Sequence, residues 1–177
     1  MERLIKKITK KINDIRDRKF FLKRNVGERM NESHARELVA RTIVMPQLKK
    51  FFGKDLLSVL IVGSSQLGVR YATRKVKSSD IDINFVVKTL FWEKMTAEQR
   101  LNVKQEITRI ENLVSQTGIK ASILLSIGKD FAFERTAPHM FGKNPFQVLY
   151  GKDWVDKQLK DYVPKNLENR RNYSKPY

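Results

Sequence analysis

An α+β fold, a small mixed β-sheet with helices on one face, is what the sequence predicts, and three observations predict it. The first 24 residues are basic with apolar residues at helical spacing. A compact, β-branched apolar run, Leu56–Val62, stops at Gly63. Beyond it the patterns alternate as strand, helix, strand and helix, the order of an α+β domain.

Taken in order, Leu4, Ile5, Ile8, Ile12 and Ile15 fall on one face of a helix. There is no continuous apolar run for a secretory signal. Glu2, Asp14 and Asp17 are unlike an organelle transit peptide, which is poor in acids. This helix is expected to dock on the core or on a protein partner; its apolar face is narrow for a membrane-surface helix. Asn25-Val26-Gly27 is expected to break it. A second helix follows from about Asn31 to Thr42, with Ala35, Leu38 and Val39 on one face. Pro46 is expected to reset the backbone before a short turn over Leu48–Phe52.

Leu56–Val62 reads as a buried strand and Ile81–Val87 as a second. Thr96–Gln116 reads as a helix packing Leu101, Ile107, Ile110, Leu113 and Val114, ended by Gly118. Ile119–Ile127 is a third strand, stopped by Gly128. Pro138, Gly142 and Pro145 mark a loop-rich stretch, Phe146–Tyr150 a short buried piece, and Trp154–Tyr162 a closing helix. The expected organisation is a basic helical extension over 1–45, a domain over 46–163 and a basic tail over 164–177.

The net charge of +17 is uneven. Residues 1–50 hold 15 Lys/Arg against 6 Asp/Glu, so the N-terminal part carries the largest excess. Such a field attracts polyanions, and nucleic acid, RNA above all, is the expected partner. With no Cys, disulfides and cysteine zinc sites are excluded. Two histidines, His34 and His139, are too few for a histidine metal centre. No run of 18 apolar residues suggests a membrane span. Cytoplasm or an organelle matrix suits this composition.

The chemistry concentrates in Gly63-Ser64-Ser65-Gln66-Leu67-Gly68-Val69-Arg70 and then Ser79-Asp80-Ile81-Asp82. A glycine at a strand end lets backbone approach a ligand, and the following N–H groups with the Ser64 hydroxyl can donate to phosphate. Aspartates two apart on a strand share one face. Side by side they repel unless a cation lies between them, and hard oxygen ligands suit Mg²⁺, with Mn²⁺ as an alternative. A divalent cation beside a phosphate cradle is the layout of phosphoryl and nucleotidyl transfer.

On these residues the chain resembles the DNA polymerase beta-like nucleotidyltransferase superfamily. Gly63-Ser64-x-x-Leu67-Gly68-Val69 before Ser79-Asp80-Ile81-Asp82 is most similar to poly(A) polymerases and terminal uridylyltransferases, while the length is that of minimal nucleotidyltransferases. Val148-Leu149-Tyr150-Gly151-Lys152-Asp153 resembles the closing segment of minimal members. The resemblance implies that Gly63 and Ser64, with Ser65, Arg70 and Ser79 beside them, bind an NTP. It implies that Asp80 and Asp82 hold the metal and are catalytic. The loop between Ser64 and Asp80 carries Arg70, Tyr71, Arg74, Lys75 and Lys77. Its cations suit a triphosphate or an RNA backbone, and Tyr71 suits base stacking.

In one respect the chain departs from the family. A later strand usually supplies a third carboxylate, and here that strand, Ile119–Leu125, contains no acid. Ala121 or Ser122 takes the place, and Asp130 and Glu134 lie beyond the strand. Three functions are therefore carried forward: Mg²⁺-dependent transfer of a nucleoside monophosphate from an NTP to a hydroxyl, RNA favoured; a non-catalytic RNA-binding component of a ribonucleoprotein on the same fold; and a nucleotidyltransferase toxin of a toxin–antitoxin pair.

Overall fold

The structure is a computed structural model that describes residues 1–17, 24–62, 80–128 and 146–160, the side chains of 24–30 and 159–160 excepted. Helices α1 (Glu2–Arg16), α2 (Arg24–Val39) and α3 (Met45–Phe52) precede the first strand. Strands β1 (Leu56–Val62) and β2 (Ile81–Val87), helices α4 (Thr89–Glu93) and α5 (Ala97–Ser115), strands β3 (Ala121–Ile127) and β4 (Phe146–Tyr150) and helix α6 (Lys152–Lys160) follow. The α+β class is as expected from the sequence.

The sheet has the order β3-β2-β1-β4. β1 runs antiparallel to both β2 and β4, and β2 runs parallel to β3, so the sheet is mixed. The parallel step is possible because α4 and α5 carry the chain back across the sheet, as a parallel pair requires. Strand period 2 sorts the side chains. On one face, Ile81, Ile83, Phe85 and Val87 of β2 are all fully buried, with Val59 and Ile61 of β1 and Ile123 of β3 beside them. They share one core with Ile5, Ile8 and Ile12 of α1, Val39 of α2, Leu48 and Phe52 of α3, and Ile110 and Val114 of α5. Each such side chain contributes about 1.5–3 kcal/mol by leaving water. On the other face, Leu60 and Val62 of β1 pack with Val155 of α6 in a separate small cluster.

Several local expectations change. Asn25-Val26-Gly27 does not break a helix: it lies in the opening turns of α2, which starts at Arg24. A glycine inside a helix costs about 1 kcal/mol, a penalty the packed C-terminal half of α2 outweighs. Pro46 does not separate two elements. α2 runs through a π-helical turn, Ala40–Val44, into α3, where Pro46 sits in the first turn. Proline lacks the N–H that an ordinary helical ladder would use there, so a local widening accommodates it. Leu101 is 53% exposed, against expectation. The packed stripe of α5 is Val103, Ile107, Ile110 and Val114 instead. Thr96 caps that helix in a reciprocal capping box with Gln99. Leu4 is also largely exposed, at 42%.

Two connections hold the sheet edges. Gly151, at φ 73°, turns the chain from β4 into α6, and a Cβ there would fall 1.9 Å from the Leu57 carbonyl oxygen. Only glycine fits that approach. At the other edge, the Glu111 side chain of α5 accepts a hydrogen bond from the Ile123 backbone N–H at 2.9 Å. That contact satisfies one edge donor of β3 and blunts the edge.

Candidate functional site

β2 places Asp80 and Asp82 at its N-terminal end. Asp82 is paired across to Val62, the last residue of β1, so the end of one strand meets the start of the other. The backbone N–H of Ile81 donates to the Lys120 carbonyl at 2.8 Å and fixes this end of β2 against β3. Asp80 is exposed and Asp82 half-buried.

Asp82 points to the face opposite the helical core, because its neighbours Ile81 and Ile83 are wholly buried in that core. The same face of β2 and β3 carries Asn84, Ser122, Leu124 and Ser126. Ser126 Oγ donates to Asn84 Oδ1 at 2.9 Å. Leu124 is 55% exposed and Ser122 and Ser126 are half-buried, so this face is accessible along β3, while Asn84 on β2 is buried and α6 covers the β1–β4 half.

Burial raises the Asp82 carboxyl above its usual value, the neighbouring Asp80 charge raises it further, and Arg36 opposes both. The pair is thus coupled through like charge, and a cation between them would relieve it.

Arg36 comes from the helical layer. Its side chain is only 3% exposed, as deeply placed as a core residue. Burial pulls its guanidinium below the ordinary value; Glu32, Asp82 and Asp80 oppose that, and Arg16 adds to it. Glu32 is the hub. Arg16 binds it through Nε at 2.5 Å and Nη2 at 3.0 Å, and Arg36 Nη2 stands 4.0 Å from the Oε2 that Arg16 Nη2 also binds. Asn31 Nδ2 donates to the Arg16 carbonyl at 3.1 Å and ties α1 to α2 again. One residue further along, Glu37 bonds Gln147 of β4, which pairs with Ile61. Burial raises the Glu37 carboxyl, but the bonds from Gln147 and Arg41 outweigh it and leave it lowered. These contacts hold α2 to the end of the sheet where Asp82 lies.

The parallel register settles which residues on β3 neighbour the aspartates. Asp82 pairs with Ser122 and Ile81 with Ala121, which puts Lys120 at the level of Asp80. The β3 neighbours of the two aspartates are therefore a hydroxyl-bearing residue, Ser122, and, one step out, the cation of Lys120. Among the described residues no three acidic or histidine side chains come together to hold a metal. Two aspartates still fit a hard divalent cation that brings further oxygen ligands with it.

Of the residues singled out in the sequence, Asp80 and Asp82 are brought together as expected. Gly63, Ser64, Ser65, Arg70, Tyr71, Arg74, Lys75, Lys77 and Ser79 lie outside the described residues, as do Asp130, Glu134 and His139. His34 is exposed. Of the aromatics near the sheet, Phe52 is core, and Phe91 and Trp92 pack against that core. Sequence reasoning missed Arg36, Glu32 and Asn84. A signal existed for the first two: positions 32, 36, 39 and 43 share one helical face with Ala35, so a charged pair stood on an apolar stripe.

Comparison with known proteins finds no matching family model, no matching curated protein and no matching solved structure.

Proposed function

We propose that the protein is a Mg²⁺-dependent nucleotidyltransferase that moves a nucleoside monophosphate from an NTP to a hydroxyl acceptor, with RNA the favoured acceptor. The observation that carries this is the juxtaposition of the end of β1, which leads directly into Gly63-Ser64, with Asp80 and Asp82 on the open face at the start of β2. The sheet order supports it too, since a parallel third strand reaches the aspartates from the side where the family resemblance puts the rest of the site.

Asp80 and Asp82 would hold the cation, Mg²⁺ or Mn²⁺, and the Ser122 hydroxyl beside them could donate to a phosphate oxygen. When bound, the cation supplies charge neutralisation at the phosphates and favours the ionised acceptor hydroxyl. Gly63 and Ser64 would cradle the triphosphate. The acceptor oxygen bonds to the α-phosphorus, the bond to the β-phosphate breaks, and pyrophosphate leaves. The hydroxyl proton goes to solvent, because Ser122 stands where a carboxylate base would.

A second reading has its own observation. Ser122 beside Asp82, Lys120 level with Asp80, and the buried Arg36 are what a non-catalytic RNA-binding descendant of the fold would carry. One experiment separates the two: incubation with Mg²⁺, each labelled NTP in turn and mixed RNA, for the wild type and the Asp80→Ala/Asp82→Ala double variant. Transfer by the wild type alone supports the enzyme. No transfer from any NTP, with RNA binding equal in both proteins, overturns it in favour of the binding module.

A further inference from the structure

α1 has two faces with opposite assignments. Ile5, Ile8 and Ile12, at 7%, 3% and 0% exposure, are spent on the core. At 100° per residue, Arg3, Lys6, Lys7 and Lys10 fall on the side opposite them, and Lys11 lies at its flank. All five are exposed. Lys6 meets Glu2 at 2.7 Å, in an exposed pair. Arg3, Lys7, Lys10 and Lys11 form no ion pair with any described residue.

This stripe works against the helix that bears it. Arg3 and Lys7, Lys6 and Lys10, and Lys7 and Lys11 are like charges four apart, which repel across one turn. Cations in the first turns also sit at the positive end of the helix dipole. The buried isoleucines and the Arg16–Glu32 bridge hold the helix in place regardless. A row of phosphates would relieve both penalties. Successive turns of a helix rise about 5.4 Å, so cations on successive turns can each reach a phosphate of a flexible single strand.

We propose that the outer face of α1 is an RNA-binding surface that grips the phosphate backbone of a single strand through Arg3, Lys6, Lys7, Lys10 and Lys11. It names the acceptor surface of the transferase proposed above, but the grip itself requires neither metal nor turnover. A lipid surface fits less well. A membrane-surface helix inserts its apolar face, and that of α1 lies in the protein core, leaving Met1 and Leu4 as its exposed apolar residues. The surface reads no sequence, since backbone contacts position a strand without specifying bases.

The test is fluorescence anisotropy of a labelled 20-nucleotide single-stranded RNA with the full chain, repeated across KCl concentrations. The proteins are the wild type, Lys6→Gln/Lys7→Gln/Lys10→Gln/Lys11→Gln, the same four positions as Arg, and Asp80→Asn/Asp82→Asn. Single-strand binding loses about 0.7 in the log–log salt slope per phosphate contact. The Gln variant is therefore expected to flatten the slope by about 2 to 3 and to bind at least tenfold more weakly at 0.15 M salt. Its helical circular dichroism and melting temperature are expected to be equal to the wild type or higher, because repulsion is removed. The Arg variant keeps the binding, and so does the aspartate variant, even if no transferase activity is ever detected. A Gln variant with wild-type slope and affinity overturns the proposal. So does loss of RNA binding in the aspartate variant. Loss of binding to phosphatidylserine vesicles in the Gln variant with RNA binding intact overturns it in favour of a membrane.

Discussion

The two faces of β2 differ as sharply as two proteins would. Ile81, Ile83, Phe85 and Val87 are fully buried under helices, while Asp82 and Asn84, each one residue away, look out on Ser122 and Ser126. The first set stabilises the fold and is held in place by apolar packing. The second set places polar atoms on the other face, with Asp82 half-buried at the strand's start and Asn84 buried further in. Because strand period is 2, a single seven-residue strand carries both, and a slip of one residue would exchange them. The difference can be broken from either side.

Phe85→Ala attacks the buried face. Phe85 touches Phe52 at 5.1 Å between ring centroids, deep in the helix-covered core. Urea unfolding is expected to show a loss of about 3–5 kcal/mol. Asn84→Ala, next door on the other face, removes the buried acceptor of the Ser126 hydroxyl and is expected to cost less, about 1–2 kcal/mol. Equal costs would mean that the two faces are not the separate fold and site surfaces described above.

Glu32→Gln tests how firmly the helical layer is joined to the site. Glu32 balances Arg16 and the buried Arg36, and removing one partner of a buried charge cluster costs about 3 kcal/mol or more. Adding Arg36→Met should recover part of that loss, since the stranded cation is then gone. A cost below about 1 kcal/mol in the same unfolding measurement would reduce the cluster to the worth of a surface pair.

Most of this division was legible beforehand. The alternation in Ile81–Val87 gives both faces, and the β-branched run of Leu56–Val62 gives the partner strand. The apolar spacing of α1 appears as buried Ile5, Ile8 and Ile12. What sequence spacing could not give was register. Whether Ala121 or Ser122 neighbours Asp82 depends on how two strands separated by a 19-residue helix align, which is a long-range contact. Nor could it give Arg36. A helix residue four positions from Glu32 is ordinarily read as half of a solvated i,i+4 pair. Its burial is tertiary, with Arg16 of α1 and the aspartates of β2 as neighbours. Leu101 failed for the converse reason: an apolar residue near a stripe is no proof of burial when the helix has a second solvated edge.

Ser122→Asp sharpens the open face. The register places the new carboxylate beside Asp82, where the family resemblance leads one to expect an acid. Mn²⁺ affinity, followed by electron paramagnetic resonance, is expected to rise about tenfold, equivalent to about 1.4 kcal/mol. Without a cation the variant should melt lower than the wild type, because a third like charge joins the pair. No change in either quantity would show that Ser122 does not share the aspartates' space.

The smallest effect is the most direct probe of the carboxylate pair. Asp82 is raised above its usual value by burial and then by Asp80, so the folded state binds a proton more tightly there than the unfolded state does. Stability then falls as pH climbs from the unfolded value, about 3.9, through the raised folded value, and stays lower above it. Asp82→Asn removes that ionisation. At neutral pH and without divalent cation the variant is expected to melt above the wild type. The gain should shrink to nothing as pH falls below about 3.9, where the wild-type carboxylate is protonated in both states. Saturating Mn²⁺ should shrink it too, but by stabilising the wild type instead, since a bound cation neutralises the charge that burial penalises. Melting curves over pH with and without Mn²⁺ check both limits. A variant that melts below the wild type at pH 7 in chelator would show that Arg36 more than compensates the pair, and that the site is already charge-balanced without any metal.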